Sequence, residues 1–172
     1  LDERPVIVSA FGSQGAKAMN EMTAQFFKLE QDANFPFQHI HAVGSFGWGW
    51  MPEYVAQQGV DLSKAPSISM KQYLYNMPQV MAAADIVISR AGASTCNEIA
   101  ASGVPCILIP SPNVTANHQE KNARALEEQG AAAVILEKDC SAETVLETIR
   151  RLLEDREAYD KMHNALLDMS VP

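Results

Sequence analysis

The densest group of residues able to do chemistry is Arg90-Ala91-Gly92-Ala93-Ser94-Thr95-Cys96-Asn97-Glu98. It follows the apolar run Asp85-Ile86-Val87-Ile88-Ser89, so a glycine turn leads directly from a strand into a helix start. Such a turn aims several free backbone N–H groups at one spot. With the helix dipole they bind an anion without any lysine. Ser94 or Thr95 is the expected N-cap, and Glu98, three residues after Thr95, has two readings. It completes a capping box with Thr95, or it accepts hydrogen bonds from the diol of a ribose.

Two further segments carry polar groups at the ends of strands. Gly12-Ser13-Gln14-Gly15-Ala16 follows Val6-Ile7-Val8-Ser9-Ala10-Phe11 and has the shape of a loop that holds a phosphate or a sugar. It is not a dinucleotide fingerprint, because Ala10 occupies the first glycine position and Val43-Gly44-Ser45 stands where the acidic residue is needed. It also lacks the lysine of a P-loop. Asn117-His118-Gln119-Glu120-Lys121-Asn122 opens a helix with amides and an imidazole that both donate and accept, as recognition of sugar hydroxyls requires. A solvated helix face is the plainer reading of the same residues.

Other chemistry is disfavoured. The chain has 13 Lys+Arg against 21 Asp+Glu, a formal net charge of −8, so counterion release onto a nucleic-acid backbone cannot drive binding. Cys96, Cys106 and Cys140 form no C-x-x-C pair, which argues against a disulfide framework or a zinc site and fits a reducing compartment. His39, His41 and His163 read as structural; the first two share a strand face but lack a third ligand. There is no H-E-x-x-H, no D-x-D and no Ser/His/Asp order, so neither a metal nor a cofactor is expected. Met19, Met22, Met70, Met77 and Met81 read as core filler, and Trp48 and Trp50 as loop anchors.

The elements that must position these loops are short, continuously apolar strands alternating with helices. Expected strands are Val6–Phe11, Gln38–Val43, Pro66–Met70, Asp85–Ser89, Cys106–Pro110 and Ala131–Leu136. Helices are expected over about 16–31, up to 58, 77–84, from Ser94 to Gly103, 117–129, 141–155 and beyond. Buried strands with helical crossovers imply a doubly wound, Rossmann-like α/β domain with a parallel sheet of about six strands. Ligands of such sheets lie beyond the carboxyl ends of the strands, where the three polar loops fall. No apolar run approaches the length of a membrane-spanning helix. Leu1-Asp2-Glu3-Arg4 has neither an initiator Met nor a secretion-signal layout and reads as a cut inside a longer protein.

The three loops taken together, with Ile88-Ser89 leading the second and Ile109-Pro110-Ser111-Pro112 leading the third, closely resemble the MurG glycosyltransferases from about Val6 to Leu153. These are the bacterial peptidoglycan enzymes that move GlcNAc from UDP-GlcNAc to lipid I, making lipid II. The resemblance covers the carboxyl-terminal, donor-binding half of a two-domain GT-B fold. It implies that residues 1–172 form that half, with the amino-terminal acceptor domain absent. It places the uracil at the backbone near Leu74, the diphosphate at Ala93, Ser94 and Thr95, and the ribose hydroxyls at Glu98. His118 and Gln119 match the pair that reads the 3- and 4-hydroxyls of GlcNAc, and Ser13 and Gln14 the loop that reaches the donor. The sequence departs from the family pattern where Phe11 replaces the first of two glycines, and His118 stands where some members have glutamine.

The mechanism implied is an inverting single displacement in which the acceptor's 4-hydroxyl attacks the anomeric carbon and UDP departs. Preorganised N–H donors at the helix start would stabilise the charge growing on the phosphate, a contribution of about 3 kcal/mol for one such donor in other enzymes. No catalytic residue is expected here, since the family's general base and its surface for the cytoplasmic membrane face belong to the other half. The expected partners are therefore UDP-GlcNAc, bound by this half, and lipid I, bound through the other. Two alternatives stay open: a natural single-domain transferase subunit completed by a membrane partner, and a non-catalytic UDP-sugar-binding module.

Overall fold

The computed structural model describes residues 2–12, 15–113 and 118–170. Six strands, β1 (Val6–Ala10), β2 (Gln38–Ala42), β3 (Ile68–Lys71), β4 (Ile86–Ser89), β5 (Cys106–Leu108) and β6 (Ala133–Val134), form one sheet in the order β3-β2-β1-β4-β5-β6. All five pairings are parallel, with Val8 opposite Ile40 on one side and Val87 on the other. This is the doubly wound architecture expected, in the strand order 3-2-1-4-5-6.

The helices are α1 (Lys17–Asp32), α2 (Met51–Gln57), α3 (Met77–Ala83), α4 (Ala93–Ser102), α5 (His118–Glu128), α6 (Ala142–Glu154) and α7 (Arg156–Ser170). Successive residues of a strand point to opposite faces, and Ile86, Val87, Ile88 and Ser89 are all buried, so helices cover both faces of β4. Helix α1 packs on α2 and α6, and α4 packs on α3, α5 and α7. Each fully buried Ile, Val or Leu contributes about 1.5–3 kcal/mol relative to exposure, and the middle of the sheet is made of these residues.

Several sequence expectations change: the third strand runs Ile68–Lys71 rather than Pro66–Met70, and the fifth ends at Leu108 rather than Pro110. The sixth strand shrinks from Ala131–Leu136 to two residues, because β5 offers only Ile107 and Leu108 as partners and the chain then enters a 3-10 turn at Glu137–Asp139. The capping box expected at the start of α4 is absent there. One forms instead at α6, where the Ser141 hydroxyl accepts from Thr144 N–H (3.1 Å) and Ser141 N–H donates to the Thr144 hydroxyl (2.8 Å). At the other end of α4, Gly103 takes φ +70° and closes the helix as expected.

Candidate functional site

Strands β1 and β4 are neighbours, yet the chain leaving β1 runs to β2 on one side and the chain leaving β4 to β5 on the other. A crevice opens where the order reverses. It holds a cleft of about 350 Å³ whose walls include Ala10, Gly12, Leu74, Ser89, Thr95 and Glu98. A second cleft of about 400 Å³ adjoins it and shares Met77, Met81 and Glu98. Among the described residues neither cleft is lined by a lysine or an arginine.

The positive pole at this crevice is the start of α4. Its N-cap is Gly92, in extended conformation at φ −65°, ψ 152°, rather than Ser94 or Thr95. Glycine has no side chain to offer, so no side-chain cap forms. The first intrahelical bond runs from Cys96 N–H to Gly92 O (2.9 Å), and the N–H groups of Ala93, Ser94 and Thr95 precede it. Uncapped N–H groups directed along the dipole are what an anion needs. Ser94 and Thr95 therefore sit inside the first turn, and the capping-box reading of Glu98 fails. Among the described residues the Glu98 side chain meets only a long contact within its helix, the Ser94 hydroxyl donating at 3.4 Å, and this exposed residue lines both clefts.

Helix α5 holds the turn before α4 in place. The Gln119 side-chain oxygen accepts from Ala91 N–H (3.3 Å) and Ser111 N–H (3.0 Å), while the Asn122 amide donates to Ala91 O (3.0 Å). Both polar backbone atoms of Ala91 are thus satisfied by α5. The Gln119 nitrogen is left on the Gly92 side, 4.0 Å from where a β-carbon on Gly92 would stand. Arg90 ties the same turn to the loop after β5 through Ile109 O (3.2 Å), and its charge is matched by Glu137 at 2.6 Å. His118 opens α5 as an exposed residue.

The first glycine turn closes on itself through Gly15 N–H to Gly12 O (3.0 Å), with Gly12 at φ +98°, a conformation that favours glycine. Phe11, the departure from the family pattern, turns into the core against His41 (centroids 6.1 Å apart) and leaves the positive φ to Gly12. Ser13 and Gln14 lie outside the described residues.

The structure therefore brings Leu74, Thr95 and Glu98 to one cleft, with Ala93 and Ser94 on the same first turn and Gln119 against its base. Sequence reasoning missed three things. It did not find the cleft's Gln72 and Tyr73, the structural work of Asn122, or a buried polar chain running from Glu30 through His39, Ser9 and His41 to Asn20. Alternating His39 and His41 were the visible signal for the last. Trp50 packs on Tyr54 as a loop anchor, whereas Trp48 is exposed.

Residues 6–170 match the glycosyltransferase family 28 C-terminal domain. The chain is 42% identical, over 93% of its length and 42% of the relative's, to a UDP-N-acetylglucosamine–N-acetylmuramyl-(pentapeptide) pyrophosphoryl-undecaprenol N-acetylglucosamine transferase of Acetivibrio thermocellus. A relative of the same name from Bacillus cereus is 38% identical over the whole chain and 45% of its own length. Among solved structures, Acinetobacter baumannii MurG superposes with a TM-score of 0.78 at 26% identity, covering 100% of this chain and 47% of that one. The chain thus spans less than half the length of each. With the parallel sheet and the uncapped α4 start already in view, the match over 6–170 identifies the chain as a member of glycosyltransferase family 28, carrying its C-terminal domain.

Proposed function

We propose that this chain is the donor-binding half of an inverting glycosyltransferase that moves GlcNAc from UDP-GlcNAc to lipid I, forming lipid II. The observation that carries the reading is the uncapped start of α4 opening on a crevice at the sheet's switch point, beside a carboxylate with no structural task. The names of the relatives and of the MurG neighbour support the choice of donor and acceptor.

In this reading the uracil lies by the backbone at Leu74, Glu98 accepts from the ribose hydroxyls, and the N–H groups of Ala93, Ser94 and Thr95 hold the diphosphate. His118 and Gln119 read the 3- and 4-hydroxyls of GlcNAc, and Ser13 and Gln14 approach the donor from the first glycine turn. As the sugar–phosphate bond breaks, negative charge grows on the departing phosphate, and dipoles already aimed there need no reorganisation to meet it. The proton of the attacking hydroxyl goes to a base in the remaining part of the protein, which also meets lipid I and the cytoplasmic face of the membrane.

Calorimetric titration of the chain with UDP-GlcNAc, UDP-GalNAc and UDP tests the reading. UDP-GlcNAc is expected to bind, to be preferred over its 4-epimer, and not to be turned over by this chain alone. Equal binding of both sugars would leave a nucleotide module, and synthesis of lipid II by the isolated chain would overturn the division between halves.

A further inference from the structure

A polar chain buried beneath the first glycine turn has a direction set at one end. The Asn20 amide donates to Val43 O at 3.0 Å, so its oxygen faces His41 Nε2 at 2.8 Å. The opposite orientation would set two carbonyl oxygens face to face. His41 is fully buried between Phe27, Phe11 and His39, and desolvation, reinforced by His39, drives its pKa down to about 3. A neutral His41 that donates from Nε2 has a bare Nδ1, which accepts the Ser9 hydroxyl at 2.7 Å. The Ser9 carbonyl, 3.2 Å from Nδ1, favours the other tautomer, but the Asn20 contact is shorter and leaves no choice of donor. Ser9 in turn accepts from His39 Nε2 at 2.7 Å, and His39 Nδ1 meets Glu30 Oε1 at 2.7 Å.

The Asn20 end of this chain touches the crevice's support. A β-carbon on Gly15 would collide with Val43 O, the same oxygen that Asn20 holds, and one on Gly47 would collide with the Asn20 amide nitrogen. Three backbone segments, at Gly15, Val43 and Gly47, close on one side chain that is only 1% exposed. Gly12, five residues before the start of α1, lines the cleft.

We propose that Asn20 is a positioning residue for the donor site: held in orientation by His41, it fixes the Val43 carbonyl against which Gly15 closes. The proposal builds on the donor reading for its ligand, but its geometry does not depend on it. Removing the amide leaves Val43 O and His41 Nε2–H unpaired in the interior, and the backbone at Val43 and Gly15 is expected to shift to satisfy them.

The test compares Asn20→Leu with Ser9→Ala, a cut in the same network away from the turn, in the 172-residue chain at a temperature where circular dichroism shows both folded. Asn20→Leu is expected to weaken UDP binding at least tenfold and to shift the Gly12, Gly15 and Gly47 amide resonances. Ser9→Ala is expected to lower the melting temperature with UDP affinity within twofold. Parallel losses of affinity in both variants, or unchanged affinity and amides in Asn20→Leu, overturn the proposal. If Asn20→Leu does not fold, the wild-type chain decides: saturation with UDP should move the Asn20 side-chain NH2 resonance together with Gly15, and an unmoved pair overturns it. If the wild-type chain binds no UDP, the donor reading fails, and the amide shifts in Asn20→Leu still judge the positioning role.

Discussion

Replacing Glu98 by Ala separates a structural from a ligand-binding role with a magnitude that the geometry sets. The carboxylate is exposed, lies beyond the first turn of α4, and makes one 3.4 Å contact with Ser94. A surface change of this kind moves stability by less than about 0.5 kcal/mol, against about 1 kcal/mol for a lost cap. If Glu98 accepts from the ribose diol, the lost charged hydrogen bonds amount to about 1.5–3 kcal/mol, a roughly ten- to hundredfold weaker UDP complex. Calorimetry with UDP and with 2′,3′-dideoxy-UDP closes the cycle. The dideoxy ligand lacks the hydroxyls, so it should bind wild type and Glu98→Ala equally, while UDP should distinguish them. A variant that weakens both ligands alike, or that melts earlier while UDP affinity holds, would refute the assignment.

Two other outcomes follow from the same geometry. His41 is held neutral with its pKa lowered from 6.5 to about 3, so on acidification the unfolded chain takes up the proton first; stability is complete above about pH 6.5 and falls as pH drops, by about 2 kcal/mol at pH 5. Urea titrations of wild type and His41→Gln should converge by that amount between pH 7 and 5, and parallel curves would show that His41 titrates normally. Gln119→Glu keeps an oxygen for Ala91 N–H and Ser111 N–H but loses the amide donor; thermal stability should hold while preference for UDP-GlcNAc over UDP-GalNAc drops at least fivefold, and retained preference would remove Gln119 from the sugar site.

What the sequence made legible is what local pattern determines. Strand positions followed from runs such as Val6-Ile7-Val8, because a strand buried on both faces has no polar phase. The end of α4 followed from Gly103, whose left-handed backbone leaves few alternatives. Its beginning did not, since Thr95 and Glu98 have the spacing of a capping box whether the helix starts at Ala93 or three residues later. Tertiary contact decided that: α5 holds Ala91 by both backbone atoms, and this fixes Gly92 as the cap. The Glu30–His39–Ser9–His41–Asn20 chain was illegible for a related reason. Its members come from α1, β1 and β2, and only the parallel register of β1 on β2, with Ser9 opposite His41, brings them together.

The same contacts show how the residues proposed to read the sugar and to hold the phosphates, which lie on different helices, could serve one ligand. A diphosphate bound at α4 gains little from a helix start that moves, because dipoles stabilise growing charge only where they already point at it. The turn at Ala91–Gly92 has no cap side chain of its own to stiffen it. Its rigidity comes from Gln119 and Asn122, two residues one turn apart on α5, so the helix that carries the proposed sugar reader Gln119 also fixes the proposed anion site beside it. This double duty constrains the chemistry of Gln119. Its oxygen is committed to Ala91 and Ser111, so toward a ligand it is a donor only, and any proton donated by a sugar hydroxyl must go to another acceptor. In the proposed reading His118, the neighbouring residue on α5, is the candidate for that acceptor, since a neutral imidazole carries one bare ring nitrogen.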